Sequence, residues 1–259
     1  DYLVFLFSKN YKSIKELSEK ELRLAGLRIN PKTNIGSRVS FYNNIKIKSL
    51  KNDFDEVSQI SGLPKNPKIS NLNWSPDQSK IAFTNTAEDG VNLWILDLNS
   101  ATAKKVSELK LNANIGSVIN WFSDSNSLLI KVIPKDKSEL INSNIVVPVG
   151  PKVSTNFGEK AQNRTYQDLL KNKVDEHNFQ QLVTSDLFTV SINGKAKKWL
   201  ESNMYTSISI SPDGNYVMVT KINKPFSYLV TYRSFPTSVD IYSKDCLLYT
   251  SDAADEQFG

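Results

Sequence analysis

The chain has 259 residues, of which 39% are hydrophobic, 10% aromatic and 23% charged, a composition typical of a globular protein with a buried core. The longest apolar run, Tyr2 to Phe7, is far shorter than the ~20 residues of a membrane-spanning helix, so we expect no membrane span. One cysteine and one histidine exclude a disulfide framework and zinc sites built from these residues, and we expect no metal or other cofactor. The net charge of +5 comes from scattered Lys and Arg, so we expect solvated surface and no nucleic-acid partner.

The N-terminal part of the chain predicts an irregular group of strands. An apolar strand is predicted from Tyr2 to Phe7, followed by a short helical piece around Ser13 to Leu17. Further strands are predicted near Leu22 to Ile29 and near Ile45 to Leu50. Together these elements predict one blade that is less regular than the later ones.

A motif of an apolar strand, a tight turn and a second apolar strand occurs three times. The copies begin at Asn71, Val118 and Ser207, and in two of them the turn contains Ser-Pro-Asp. Ser, Pro and Gly suit the first, second and fourth positions of a type I turn, and Gly214 occupies that fourth position. Asn193-Gly194 between two later strands is a strong hairpin signal. Units of ~40–50 residues with this pattern are typical of the four-stranded blades of a propeller.

Residues 134–181 interrupt the repeat and lie between its second and third copies. Within them, Arg164 to Lys171 and Asp175 to Leu182 have helical patterns. We therefore expect a short helical insertion between two strands of one blade. The expected fold class is all-β, an incomplete β-propeller of about four blades, each a four-stranded antiparallel sheet, over residues 1–245.

The C-terminal residues 246–259 match a laboratory sequence. From Cys246 to Glu256 they read Cys-Leu-Leu-Tyr-Thr-Ser-Asp-Ala-Ala-Asp-Glu, and the transposon-end adapter used to prepare sequencing libraries can encode this run. We therefore expect residues 246–259 to be adapter read-through, a non-native tail that is not part of the fold. The alternative is a genuine strand from Leu247 to Thr250 followed by a polar tail.

The sequence contains no motif that predicts catalysis. Its ten glycines form neither the Gly-x-Ser-x-Gly elbow of α/β-hydrolases nor a phosphate-binding loop. His177, the single histidine, lies in a polar stretch that favours a surface position over the role of a catalytic base. Asp77, Asp124 and Asp213 occur once in each repeat, which favours turn formation over a calcium site. We therefore predict no catalytic residue in this chain.

Several stretches resemble the N-terminal propeller of prolyl-oligopeptidase-type serine peptidases, and among these the glutamyl-endopeptidase group. The most specific are Glu21 to Pro31, Glu-Leu-Arg-Leu-Ala-Gly-Leu-Arg-Ile-Asn-Pro, and Arg164 to Leu170, Arg-Thr-Tyr-Gln-Asp-Leu-Leu. Pro225 to Val230 and Phe235-Pro236 also resemble the group, whereas the Trp-Ser-Pro-Asp turn is shared by many propellers. The resemblance extends over nearly all of residues 1–244.

The resemblance implies a peptidase that cleaves after glutamate. Its propeller would cap and gate a C-terminal α/β-hydrolase domain with a Ser-Asp-His triad; this domain is absent here, so the fragment itself would be non-catalytic. The implied partners are a peptide substrate and the missing hydrolase domain. The implied location is secreted, periplasmic or organellar, and we take secreted or periplasmic as the expectation.

Cleavage after glutamate requires a cation that binds the substrate carboxylate, and Arg suits this better than Lys because its guanidinium forms two parallel hydrogen bonds. Arg164 and Arg233 are the candidate substrate-binding residues, because each lies in a stretch that resembles the family. The alternative for each is a structural salt bridge or a packing role.

The alternative function is a non-enzymatic β-propeller that serves as a scaffold for protein–protein binding. The sequence beyond residue 244 in the intact gene distinguishes the two functions. A Gly-x-Ser-x-Gly elbow with a later Asp and His would support the peptidase, and further blades alone would support the scaffold.

Overall fold

Antiparallel strands dominate the computed structural model, which describes residues 2–9, 11–51, 56–142 and 166–251. In the N-terminal part, the first strand pairs with the fifth and the fifth with the sixth, while the second, third and fourth form a separate small sheet. The elements are β1 (Tyr2–Ser8), α1 (Ile14–Leu17), β2 (Leu22–Leu24), β3 (Leu27–Asn30), β4 (Ile35–Gly36), β5 (Tyr42–Ser49) and β6 (Ser58–Gln59).

Three four-stranded antiparallel units come next along the chain, each with its strands paired in chain order. The first unit is joined to β5 by a single residue pair, Tyr42 with Ile69. The first unit contains β7 (Ile69–Trp74), β8 (Lys80–Ala87), β9 (Gly90–Asp97) and β10 (Thr102–Lys105). The second contains β11 (Ile119–Trp121), β12 (Ser127–Val132), β13 (Ser185–Ser191) and β14 (Ala196–Asn203). The third contains β15 (Tyr205–Ile210), β16 (Tyr216–Ile222), β17 (Thr237–Ser243) and β18 (Leu248–Ser251).

The expected fold class, an all-β incomplete propeller, is confirmed. The first and second units are joined through their first strands: the Trp121 indole Nε1 donates to the carbonyl oxygen of Asn73 at 3.0 Å, and the side-chain Nδ2 of Asn73 donates to the carbonyl oxygen of Ile119 at 2.9 Å. Buried side chains from adjacent sheets fill the space between them. Within the described ranges, no helix is long and apolar enough to cross a membrane.

The turns of the first and third repeats are closed as the Ser-Pro-Asp pattern predicts. The amide of Gln78 donates to the carbonyl of Ser75, and that of Gly214 to the carbonyl of Ser211, at 2.9 and 2.8 Å. Asp77 Oδ1 accepts hydrogen bonds from the Ser75 hydroxyl at 2.6 Å and the Ser79 amide at 3.0 Å. These hydrogen bonds hold the pKa of the Asp77 carboxyl well below its usual range. The repeated aspartate therefore serves as a turn acceptor.

The connection between β12 and β13 contains the helix α2 (Lys173–Val183). This confirms the helix predicted from Asp175 to Leu182. Its N-cap is Asn172, whose side-chain oxygen accepts a hydrogen bond from the Asp175 amide at 2.9 Å. The helix predicted from Arg164 to Lys171 is wrong where the structure describes it, because residues 166–171 are irregular. Asp168 takes a φ of +60°, which a continuous α-helix cannot contain.

The strand β18 lies in the stretch that we predict to be adapter-derived. It pairs with β17 as the fourth strand of its sheet, with Tyr242 opposite Leu248. Leu247, Leu248 and Tyr249 expose 71%, 56% and 71% of their surface. The strand therefore adds backbone pairing but little apolar burial, and the foreign origin of residues 246–259 stays a prediction.

A buried lysine lies between the second and third units. Lys131 on β12 is 1% exposed, and its ammonium group donates to the carbonyl oxygens of Ile115 and Tyr205. Among the described residues, no carboxylate forms an ion pair with it. Burial lowers the pKa of Lys131 from 10.5 to about 7, because removal from water disfavours the charged form.

This lysine predicts a pH dependence of stability. Between pH 7 and 10.5 the unfolded lysine holds a proton that the folded one has lost, so its contribution to the free energy of unfolding rises with pH across that window. Below pH 7 both states are protonated and the contribution is at its least favourable. The difference in unfolding free energy between wild type and Lys131→Met should therefore change by up to about 1.4 kcal/mol per pH unit in this window. A pH-independent difference in urea titrations would contradict this.

Candidate functional site

The two stretches that resemble the glutamyl-endopeptidase group most specifically lie against each other. The Gly26 amide donates to the carbonyl oxygen of Asp168 at 2.8 Å, and Arg28 Nε donates to Asp168 Oδ2 at 2.6 Å. The Tyr232 amide donates to the carbonyl oxygen of Ala25 at 2.9 Å, which brings the β16–β17 connection to the same place. We call this contact the Asp168 clamp; it holds the small sheet against the later connections.

An aromatic cluster lies beside the Asp168 clamp. Phe179 of α2 is fully buried and meets Phe226 and Phe235 edge-on, with ring centroids 5.2 and 5.7 Å apart. Phe226 and Phe235 stack at 5.4 Å. Leu24 and Leu170 pack into the same cluster. The clamp and this cluster together join the N-terminal small sheet, α2 and the β16–β17 connection into one layer.

This layer lies at one end of the sheets. In an antiparallel four-stranded unit, the second-to-third connection and the link to the next unit leave from the same end, because successive strands alternate in direction. The β8–β9, β12–β13 and β16–β17 connections are all of the second-to-third kind. We call the end that carries these three connections the loop face.

Of the two predicted substrate-binding arginines, the structure describes one. Arg233 lies on the loop face, in a short 3-10 turn, Tyr232–Ser234, of the β16–β17 connection. It is exposed, its guanidinium lies 5.9 Å from the centroid of the Tyr232 ring, and within the described residues it forms no salt bridge. Arg164 lies outside the described residues.

A wide cleft opens on the loop face between the N-terminal elements and the first four-stranded unit. Its volume is about 920 Å³, in the upper part of the range of ligand-binding sites. Six lysines line it against three glutamates, and we call it the lysine cleft. These residues are Lys9, Lys12, Lys15, Lys32, Lys65, Lys68, Glu16, Glu19 and Glu88.

The glutamates of the lysine cleft are already engaged. Glu16 binds Lys68 at 2.8 Å, and hydrogen bonds from Lys68 and from the Ser13 amide lower the pKa of Glu16 to about 2. Glu19 accepts a hydrogen bond from the Asn30 side chain at 2.5 Å. The positive charge of the cleft therefore exceeds what its own carboxylates neutralise.

Two threonine hydroxyls in the walls of the lysine cleft have no partner among the described residues. Thr33 and Thr86 both line the cleft and expose 7% and 8% of their surface. The Oγ1 atoms of both form no hydrogen bond within that part of the chain. An unpaired buried hydroxyl costs about 1–3 kcal/mol, so a hydrogen-bond partner for either atom would stabilise the protein.

Sequence reasoning missed the lysine cleft. Its lysines come from three separate stretches, near residues 9–15, at 32 and at 65–68, and each is an ordinary charged surface position by itself. The available signal was the short helix α1, whose capping box between Ser13 and Glu16 fixes the start of the helix beside Lys12 and Lys15. Sequence alone does not place α1 opposite Lys32.

Comparison with known proteins identifies the relatives of the chain. It is 34% identical over 257 residues to the probable chloroplastic glutamyl endopeptidase of Oryza sativa subsp. japonica, a match that covers 95% of this chain and 27% of that protein. The Arabidopsis thaliana protein of the same name is 31% identical over 256 residues, covering 95% and 26%. The chain is homologous to one segment of the glutamyl endopeptidases. The predicted resemblance is thus confirmed.

The glutamyl endopeptidase relatives are much longer proteins, and the chain spans about a quarter of their length. Their names place them in the chloroplast, so the expectation of a secreted or periplasmic location is wrong. Among solved structures, Pyrococcus horikoshii acylaminoacyl peptidase aligns with a TM-score of 0.42 and 16% identity, over 92% of this chain and 31% of that one. No known family profile matches the chain.

Proposed function

We propose that this chain is the propeller segment of a prolyl-oligopeptidase-family serine peptidase that cleaves after glutamate. Its homology to glutamyl endopeptidases over 95% of its residues is the observation that carries the proposal. The segment walls and gates the chamber in which peptides are cut, and a hydrolase domain elsewhere in the complete protein supplies the catalytic triad. The chloroplastic names of the relatives support an organellar location.

The surroundings of His177 support a non-catalytic role for the segment. Peptide hydrolysis by a Ser-His-Asp triad needs a histidine that is hydrogen-bonded to the nucleophilic serine. His177, the single histidine of the chain, instead has its Nε2 atom 3.0 Å from the carbonyl oxygen of Glu139. This contact joins α2 to the stretch after β12, so His177 has a structural role.

The loop face supports the gating role. The Asp168 clamp and the aromatic cluster pack three distant stretches into one layer, which suits a surface against which a second domain packs. A rigid propeller limits access by size, so short peptides enter the chamber and folded proteins do not.

The complete protein tests this function with three substrates. A quenched peptide with one central glutamate should be hydrolysed after that residue, and the matched glutamine peptide should be cut at least ~10-fold more slowly because it lacks the charge. A folded protein that contains the same sequence in a structured region should stay intact. Absence of hydrolysis of the glutamate peptide would refute the proposal and favour the scaffold.

Arg233 is proposed to bind the substrate glutamate, together with Arg164. Arg233→Ala in the complete protein should raise KM for glutamate peptides about 10-fold or more, because a charged hydrogen bond is worth about 1.5–3 kcal/mol. The melting temperature should stay close to that of the wild type, since the side chain is exposed. Arg233→Lys should recover part of the affinity. An unchanged KM for both variants would remove Arg233 from the site.

A further inference from the structure

We propose that the lysine cleft binds an acidic stretch of the peptide substrate. The inference rests on the proposed function, because it assumes that the complete protein takes peptides. It adds a second determinant of substrate binding to that function: acidic residues beyond the cleaved glutamate strengthen binding. The reasons lie in the charge, the hydroxyls and the shape of the cleft.

The carboxylates of the described residues do not neutralise all the lysines of the cleft. Lys68 is paired with Glu16 at 2.8 Å and Lys15 with Glu88 at 3.9 Å. Lys9, Lys32 and Lys65 also line the cleft, and none of the three has an ion-pair partner among the residues that the structure describes. All three are exposed, so their ammonium groups are available to a ligand that enters from solvent.

The hydroxyls of Thr33 and Thr86 are an independent indication of a ligand. A folded protein rarely leaves a buried hydroxyl unpaired, and here two such groups, unpaired within the described residues, line one cleft. A hydroxyl donates a hydrogen bond to a carboxylate oxygen or a peptide carbonyl. The two oxygen atoms themselves have almost no accessible surface, so a ligand reaches them only if the threonine side chains turn into the cleft, where the lysines already favour an anion.

The chemistry of the cleft favours the carboxylates of a flexible peptide. Lysine ammonium groups are point charges that accept an anion from many directions, in contrast to the fixed fork of arginine. A cleft of about 920 Å³ lined by dispersed lysines therefore suits several side-chain carboxylates whose spacing varies. An oligonucleotide would also be attracted by the charge, so it is the competing ligand in the test.

Charge reversal in the complete protein tests the inference. Two peptides share the same cleaved glutamate, and one carries acidic residues and the other neutral residues in its flanks. In Lys32→Glu/Lys65→Glu the ratio of kcat/KM for the acidic over the neutral peptide should fall about 10-fold at low salt, mainly through KM. The matched control, Lys195→Glu/Lys197→Glu, reverses two exposed lysines at the β13–β14 hairpin and should keep the wild-type ratio.

The threonines give a second readout. Valine has nearly the shape of threonine without the hydroxyl, so Thr86→Val removes an unpaired polar group and should keep or raise the melting temperature. If the hydroxyl binds the substrate, the same variant should bind the acidic peptide several-fold more weakly. A stabilised variant with unchanged binding would overturn the role of the hydroxyl.

A binding measurement separates failure of the inference from failure of the proposed function. A fluorescent acidic peptide without a cleavable bond should bind the complete protein, and the Lys32→Glu/Lys65→Glu variant should bind it about 10-fold more weakly. If no peptide is hydrolysed but this binding is seen, the peptidase function fails and the cleft site stands. Equal binding by both proteins, or binding of a single-stranded oligonucleotide in preference to the peptide, would overturn the inference.

Discussion

Replacing Phe179 with alanine should lower the local free energy of unfolding by about 3–5 kcal/mol, the usual cost of removing a large buried aromatic side chain. Phe179 is fully buried and contacts two aromatic rings edge-on, at 5.2 and 5.7 Å. Its loss would leave a cavity between α2, the small sheet and the β16–β17 connection. Because these three elements are far apart in sequence, they are held together by side-chain packing. The cavity would weaken that packing and so loosen the whole layer.

Hydrogen–deuterium exchange in the complete protein measures this effect where it arises. The amides of α2, β2 and β3, the elements that pack around Phe179, should exchange faster in Phe179→Ala by the factor that corresponds to the lost free energy. Phe7→Ala is the matched control, because Phe7 is 42% exposed and should cost far less. Equal protection in wild type and Phe179→Ala would show that the aromatic cluster does not hold the layer together.

Replacing Gly116 with alanine should destabilise the junction of the second and third units by at least about 2 kcal/mol. Gly116 has a φ of +59°, and an added Cβ would overlap the carbonyl oxygen of Thr206. The left-handed conformation costs roughly 1–2 kcal/mol for a residue with a Cβ, and the overlap adds about 1–3 kcal/mol as the strands separate. Lys131 would be affected too, because its Nζ atom lies 3.5 Å from the added Cβ position.

Gly36→Ala provides the comparison for this variant. An added Cβ at Gly36 would come closest to the side chain of Val39, at 3.2 Å, and the backbone there is not left-handed. We expect a change below about 1 kcal/mol. The midpoints of urea unfolding of the two variants should therefore differ clearly. Similar midpoints for Gly116→Ala and Gly36→Ala would mean that the units are not packed as described.

The strands and turns could be predicted because they depend on neighbouring residues. Alternating apolar residues and the tight turns of the repeat placed β7–β8, β11–β12 and β15–β16. The hairpin at Ala25-Gly26 was missed within the strand predicted from Leu22 to Ile29: two positive φ angles, 52° and 85°, suit a two-residue turn with left-handed geometry. Gly26 was visible in the sequence, but the left-handed alanine was not.

The loop face could not be predicted because it depends on contacts between distant residues. Arg28 and Asp168 are 140 positions apart, and each looks like an ordinary surface charge in its own stretch. Resemblance to a family marked both stretches without showing that they touch. The lysine cleft is harder still, since its charge becomes visible only when three separate stretches are brought together.

Labelling of the active-site serine tests the central claim most directly. The claim is that residues 1–245 form a propeller that serves a catalytic domain located elsewhere in the complete protein. When the complete protein is treated with a fluorophosphonate and digested, mass spectrometry should find the modified serine outside residues 1–245, and labelling should abolish cleavage after glutamate. A modified serine within residues 1–245, with the same loss of activity, would contradict the account.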